Sequence, residues 1–113
     1  MKFLFEKNIK IANELMFYLH KRGADDINLN MKKEKDHCIF IAWGKIKDIR
    51  EEELTELINI LNTERQHEIE EYYWNLLSES EEDSELAIVG MMIDQAEVEY
   101  KDDILKIKLL RKN

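Results

Sequence analysis

The stretch from Ser84 to Arg111 constrains the fold more than any other part of the chain. An apolar run, Leu86 to Ile93, predicts a short helix, and two stretches of alternating apolar and polar residues follow it. The apolar positions of these stretches are Ala96, Val98 and Tyr100, then Leu105, Ile107 and Leu109. Residues 101–103 between them are polar and predict a turn, so the two stretches form a β-hairpin.

Length and charge limit the classes of function. A chain of 113 residues buries one hydrophobic core, so we expect a single domain over residues 1–113. The formal net charge of -8 argues against nucleic-acid binding, which requires a concentrated basic surface. The basic cluster of Lys32, Lys33 and Lys35 is interrupted by Glu34 and is typical of a hairpin turn.

Cysteine content and hydropathy predict a cytoplasmic protein. Cys38 is the single cysteine, which excludes an internal disulfide and suits a reducing compartment. No apolar run has the length of a membrane span, and the N-terminus lacks the three-part layout of a signal peptide. We therefore expect no contact with a membrane.

Helical and strand periodicity alternate in the first half of the chain. Apolar residues at helical spacing predict a first helix over residues 5–21, and Gly23 just past its end suits a left-handed cap. Residues 27–31 alternate as in a strand with one polar face. Residues 38–43 are apolar on both faces, which predicts a central strand covered by helices on one side.

A long second helix is predicted after the central strand. Asp48 has the position of an N-cap, with Glu51 three residues later as in a capping box. The helix extends to about Leu77, with a break near Asn62–Thr63, and an acidic, serine-rich link over residues 78–85 follows it. The element order is therefore αββααββ. Four antiparallel or mixed strands under three helices form a two-layer α+β sandwich.

This order of elements resembles the ATP-binding domain of the histidine-kinase-like ATPase superfamily. The pattern is most similar to the anti-sigma-factor serine kinases of Gram-positive bacteria. The resemblance is carried by ELMFYLHKRGADDINLNM with CIFIAWG, and by ELAIVGMMIDQAEVEY with ILKIKLLR. It implies that the first helix corresponds to the magnesium-binding helix and that the last helix follows the glycine-rich lid of the nucleotide site.

The positions that the resemblance assigns to ATP hold unsuitable residues. Ala12 and Met16 stand where the family has a general base and a magnesium-binding asparagine. Ala42 replaces the aspartate that binds adenine, two residues before Gly44. Acidic residues 80–85 replace the glycine-rich lid and would repel a triphosphate. The resemblance therefore implies a pseudokinase, with no catalytic, metal-binding or cofactor-binding residues.

These observations lead to a hypothesis of function and to alternatives. We expect a non-catalytic, cytoplasmic protein-interaction domain in bacterial signalling, with a protein partner such as a signalling regulator. The alternative is an active serine/threonine kinase of the anti-sigma-factor type with relocated residues, Glu14 as the base and Asn13 on magnesium. The predicted interaction residues are the densest aromatic group, Tyr72, Tyr73 and Trp74, which would bind a partner or form a homodimer.

Two other pairs suggest chemistry by spacing but have simpler explanations. Glu64 and His67 have the Glu-x-x-His spacing of di-iron bundles, yet a second helical copy is lacking, so we expect a solvated helix face. His37 and Cys38 are adjacent in a strand and point to opposite faces, so they cannot act as base and nucleophile. Cys38 is predicted to be a core residue.

Overall fold

The computed structural model describes residues 3–73 and 86–113 of the chain. Its elements in chain order are α1 (Leu4–Lys21), β1 (Ile27–Lys33), β2 (His37–Lys45), α2 (Glu51–Leu61), α3 (His67–Tyr73), α4 (Leu86–Gly90), β3 (Gln95–Lys101) and β4 (Ile104–Lys112). The strands form one antiparallel sheet in the order β1-β2-β4-β3. The predicted α+β class with a four-stranded sheet is confirmed.

The helices cover one face of this sheet, and the core lies between the two layers. α1 contacts β1 and β2, whereas α2 contacts β3 and α4. The central strands supply fully buried side chains to the core: Cys38, Phe40 and Ala42 from β2, and Leu105, Ile107 and Leu109 from β4. Their regular alternation follows from the two-residue period of a strand. β2 is central, as the sequence predicts.

Gly23 ends α1 as the sequence predicts. Its φ of 98° lies in the left-handed region, which glycine adopts at little cost. The N–H of Gly23 donates to the carbonyl of His20, and the N–H of Ala24 donates to the carbonyl of Leu19, each at 3.0 Å. This pair of bonds is a Schellman motif, which satisfies the last carbonyls of the helix.

Both predicted hairpins are present. β1 and β2 are joined by residues 34–36, where the N–H of Glu34 donates to the carbonyl of His37 at 2.8 Å. β3 and β4 are joined by Asp102 and Asp103, whose φ angles of 53° and 63° are those of a type I′ turn. Short polar residues tolerate these angles, and the turn twist matches that of the strands.

The predicted start of the second helix is wrong. α2 begins at Glu51 with Arg50 as the N-cap, while Asp48 precedes it with a φ of 61°. The N–H of Arg50 donates to Glu53 Oε1 at 3.5 Å, and the Arg50 Nε donates to the same oxygen at 3.0 Å. An arginine cap has no acceptor for the free N–H groups, so the helix start relies on carboxylates in the first turn that complement the helix dipole.

The predicted break near Asn62–Thr63 is confirmed, so α2 and α3 replace one long helix. The Asn62 Nδ2 donates to the carbonyl of Ile58 at 2.8 Å, and the Thr63 hydroxyl donates to the carbonyl of Ile60 at 2.9 Å. These side chains satisfy carbonyls that would otherwise continue the helix. The predicted end of α3 near Leu77 lies outside the described residues.

The last helix is shorter than predicted, because it ends at Gly90 and not at Ile93. Gly90 lies where α4 crosses α2. A Cβ at Gly90 would lie 2.3 Å from the carbonyl oxygen of Ile60, so only glycine allows this approach. Met92 and Ile93 beyond the helix still reach the core and are buried.

Candidate functional site

Two of the positions that the resemblance assigns to nucleotide chemistry lie in the packed core. Ala12 on α1 and Ala42 on β2 are both buried among apolar side chains. Met16 is half-buried on the flank of α1. None of these three side chains accepts a proton or offers an oxygen to a hard cation.

Gly44 has a structural explanation that involves no nucleotide. It pairs with Ile27 at the end of β2, next to the segment that joins α1 to β1. A Cβ at this position would come within 3.0 Å of both the Ala24 Cβ and the Asp26 carbonyl oxygen. Because the neighbouring atom is partly backbone, the close approach of the two segments requires glycine here.

The relocated kinase residues do not share a site. Glu14 is only 2% exposed and already takes part in an interaction within the fold, whereas its neighbour Asn13 is exposed. Consecutive helical residues point about 100° apart, so the two side chains diverge. A general base must come within hydrogen-bond reach of a substrate hydroxyl. The burial of Glu14 weighs against that role.

The other candidate pairs are also separated. Glu64 precedes α3 and His67 begins it, and both are exposed. Within residues 3–73 and 86–113, no group of three or more His, Cys, Asp and Glu side chains could hold a metal ion. The His37 Nδ1 lies 2.6 Å from Asp36 Oδ1, while Cys38 points into the core and burial raises the pKa of its thiol. The prediction of Cys38 as a core residue is confirmed.

A buried ion network, which the sequence analysis did not predict, joins α3 to α1 and β4. The Arg111 guanidinium donates to both oxygens of Glu70, at 2.7 and 2.9 Å, and to the Met92 carbonyl at 2.7 Å. The Lys7 Nζ lies 3.4 Å from Glu70, and the Arg65 Nη2 lies 3.3 Å from it. Lys7, Glu70 and Arg111 are at most 1% exposed.

The charges in and around this network balance. Three cations, Lys7, Arg65 and Arg111, face Glu70 and two flanking carboxylates. Lys7 donates to Glu71, and the Arg65 Nη1 donates to Asp94 at 2.8 Å. Among the described residues the count is three positive and three negative groups, so this part of the network has no excess charge, and we interpret it as structural.

The electrostatic state of Glu70 follows from its neighbours. Burial alone would raise the pKa of Glu70, since it penalises the charged carboxylate. The hydrogen bonds and charge of Arg111, with smaller effects of Arg65 and Lys7, outweigh burial and hold the pKa of Glu70 below its usual value. Glu70 is therefore a carboxylate at neutral pH.

One signal in the sequence could have indicated this network. Arg111 continues the inward alternation of Leu105, Ile107 and Leu109, so a cation occupies a core position of β4. A buried arginine requires a carboxylate partner. The sequence does not reveal which of the many carboxylates it is, because Glu70 lies 41 residues away.

The face of the sheet opposite the helices is uncovered in the described part of the chain. Its central strand bears Ile39, Ile41 and Trp43, all half-buried and only partly shielded by their neighbours. β4 places Lys106 and Lys108 beside Trp43 and Ile41 in the strand register. A depression of about 400 Å³ lies here, lined by Asn30, Ile41, Trp43, Ile104 and Lys106. We refer to Ile39, Ile41, Trp43, Ile104 and Leu110 as the open apolar face.

The predicted interaction residues remain untested. Tyr72 and Tyr73 are the last described residues of α3, but their side chains and the whole of Trp74 lie outside the described residues. The same holds for the acidic link over residues 78–85. The interaction role of this aromatic group therefore stays a prediction.

Comparison with protein families and with curated proteins finds no match to this chain. In the part of the chain that the structure describes, no helix combines the length and the hydrophobicity needed to cross a membrane.

Proposed function

We propose that this chain is a non-catalytic, cytoplasmic protein-interaction domain in bacterial signalling. We further propose that its fold is a histidine-kinase-like sandwich that has lost ATP binding. The observation that carries the proposal is the open apolar face, on a sheet whose other face packs against the helices.

The composition of the open apolar face supports a binding role. In an antiparallel sheet with one wet face, the residues on that face are usually polar. β2 instead places Ile39, Ile41 and Trp43 there, in the middle of the sheet. Tryptophan at the centre of an apolar patch is a common anchor of protein interfaces.

The charges around the open apolar face define the kind of partner. In the strand register, Glu97 lies opposite Lys108 and Glu99 lies opposite Lys106, so charges of both signs alternate along this border. A partner that covers the patch need not supply a particular charge. We expect an apolar protein surface with a polar rim, as in interfaces of standard size.

Residues at the nucleotide positions support the loss of ATP binding. Ala12 and Ala42 are buried and Gly44 is explained by packing, so these positions contribute to the core. The alternative, an active serine/threonine kinase, depends on Glu14 and Asn13 and is tested by incubation with labelled ATP and a candidate partner. Labelled product would favour the kinase.

Site-specific photo-crosslinking in bacterial cells tests the interaction directly. A photoreactive phenylalanine analogue is placed at Trp43, and at Glu52 on the exposed side of α2 as the control. We expect a discrete adduct heavier than the 13.6 kDa chain at position 43 and none at position 52. Adducts of equal yield at the two positions, or none at position 43, would contradict the proposal.

A further inference from the structure

β1 forms an edge of the sheet that is able to pair with another strand. It has seven residues, its register with β2 is continuous, and the chain contains no proline. Edge strands are usually protected by proline, bulges or charged residues. In β1 the charged residues, Lys32 and Lys33, are confined to the last two positions, and the centre, Leu29 to Met31, has none of these devices.

An apolar flank of α1 runs along this edge. Phe5 is 50% exposed, while Ile9 and Met16 are half-buried. Ile9 follows Phe5 by four residues and precedes Met16 by seven, so the three side chains lie on one side of the helix. We call Phe5, Ile9 and Met16 the α1 flank.

Two contacts show that the α1 flank lies beside β1 over its whole length. At one end, the Lys33 Nζ lies 4.9 Å from the centroid of the Phe5 ring. At the other end, a depression of about 360 Å³ is lined by Ile27 of β1 together with Met16 and Phe17. The helix and the strand therefore run in opposite directions, and both layers are apolar at the same edge.

We propose that a second copy of this chain docks at this edge, by antiparallel pairing of the two β1 strands around a two-fold axis. The pairing would join two four-stranded sheets into one sheet of eight strands. The two α1 helices would pack against each other above it. Because the helices are then antiparallel, Phe5 of one copy would lie beside Met16 of the other.

The spacing of the elements fits this arrangement. Since α1 contacts both β1 and β2, its axis lies over the gap between them, about 2.4 Å to the side of β1. Adding this offset twice to one strand spacing of about 4.8 Å places the two helix axes about 10 Å apart. Packed helices have axes about 8–10 Å apart.

Charges favour self-pairing of β1 over self-pairing of the opposite edge, β3. When two β1 strands are centred on Asn30, all seven residues pair, and Asn28 lies opposite Lys32 without like charges in contact. When two β3 strands are centred on Val98, Glu97 lies opposite Glu99 twice. Like charges directly opposite each other destabilise a strand pair.

The available area is sufficient for a dimer. The 18 residues of α1 extend about 27 Å, and the two layers are together about 20 Å deep. The edge therefore offers about 500 Å² per copy, or about 1,000 Å² in total, at the lower limit of specific interfaces. This dimer does not use the open apolar face and does not depend on the proposed function.

Light scattering on the purified chain at about 100 µM tests the dimer. We expect a mass of twice 13.6 kDa for the wild type and 13.6 kDa for Phe5→Lys. The matched control is Ile58→Lys, since Ile58 on α2 is 38% exposed and lies away from the edge. A monomeric wild type, or a Phe5→Lys variant that keeps the doubled mass, would overturn the proposal.

Crosslinking gives a second test that is sensitive to the register. A cysteine at Asn30 lies on the two-fold axis, opposite its own copy, and should form an intermolecular disulfide under mild oxidation. The native Cys38 is 1% exposed and supplies no background. Asn59→Cys on the exposed side of α2 is the control. Absence of crosslinking at Asn30→Cys, or equal crosslinking at Asn59→Cys, would contradict the proposed pairing.

Discussion

Glu70 is the carboxylate whose neutralisation should destabilise the fold most. Glu70→Gln keeps the size of the side chain but leaves Arg111 and Lys7, which are both 0% exposed, without a buried counter-charge. Breaking a buried ion pair on one side costs about 3–5 kcal/mol. A chain of 113 residues has a free energy of unfolding of about 6–17 kcal/mol, so the loss is a large fraction of it.

The expected loss of stability for Glu70→Gln is large enough to be measured by thermal unfolding. The entropy of unfolding for this length is about 240 cal/mol/K, so a loss of 4 kcal/mol lowers the midpoint by about 17 °C. Glu71→Gln is the matched control, because Glu71 is also a partner of Lys7 but is 57% exposed. Exposed pairs contribute about 0–1 kcal/mol, so the control should melt within a few degrees of the wild type.

A second variant separates charge from packing. Replacing Lys7 by Met, Glu70 by Leu and Arg111 by Met in one chain removes all three buried charges and keeps apolar volume. Such replacements are often neutral or stabilising. The reasoning would be refuted if Glu70→Gln melted like Glu71→Gln, or if the triple variant were less stable than Glu70→Gln alone.

Three further predictions concern single groups. The pKa of Glu70 in the fold is below its usual value of 4.5. The stabilisation by its carboxylate is therefore complete above pH 4.5 and is lost as the pH falls through the lowered pKa. Urea titrations should accordingly show the free energies of unfolding of the wild type and of Glu70→Gln converging in acid. Gly90→Ala places a Cβ against the Ile60 carbonyl oxygen and should lower the free energy of unfolding by about 1–3 kcal/mol, measured by chemical denaturation. An unchanged midpoint would contradict the close crossing of α2 and α4. Tyr100→Phe removes the 2.6 Å hydrogen bond that the Tyr100 hydroxyl donates to the Ile46 carbonyl. The same assay should show a loss of about 1 kcal/mol in the free energy of unfolding. No loss would show that water replaces this hydrogen bond.

Features set by neighbouring residues could be predicted from the sequence. Gly23 after a helical stripe predicts a left-handed cap, and the polar residues 101–103 between alternating stretches predict a turn, because each signal acts within a few residues. The structure places Lys101 in β3 and leaves Asp102 and Asp103 as the turn. The central position of β2 could also be predicted, since a strand that is apolar on both faces is favoured inside a sheet.

Features that depend on distant residues could not be predicted. The N-cap of α2 was predicted at Asp48, but the chain turns there with a φ of 61°, and the helix start moves to Arg50. The partner of Arg111 lies 41 residues away, and nothing local distinguishes Glu70 from the many other carboxylates. The exposure of Phe5 on α1 could not be predicted either, because it depends on how far the sheet extends beneath the helix.

The central claim, a kinase-like fold without ATP binding, is tested most directly by thermal unfolding with and without magnesium–ATP. A ligand that binds only the folded state with a Kd of about 100 µM would, at 5 mM, add about 2.3 kcal/mol to the free energy of unfolding. This would raise the midpoint of thermal unfolding by about 10 °C. We predict a change below about 1 °C, which places any Kd above about 10 mM. A rise of several degrees, absent with magnesium–phosphate as the control, would contradict the claim and favour the kinase.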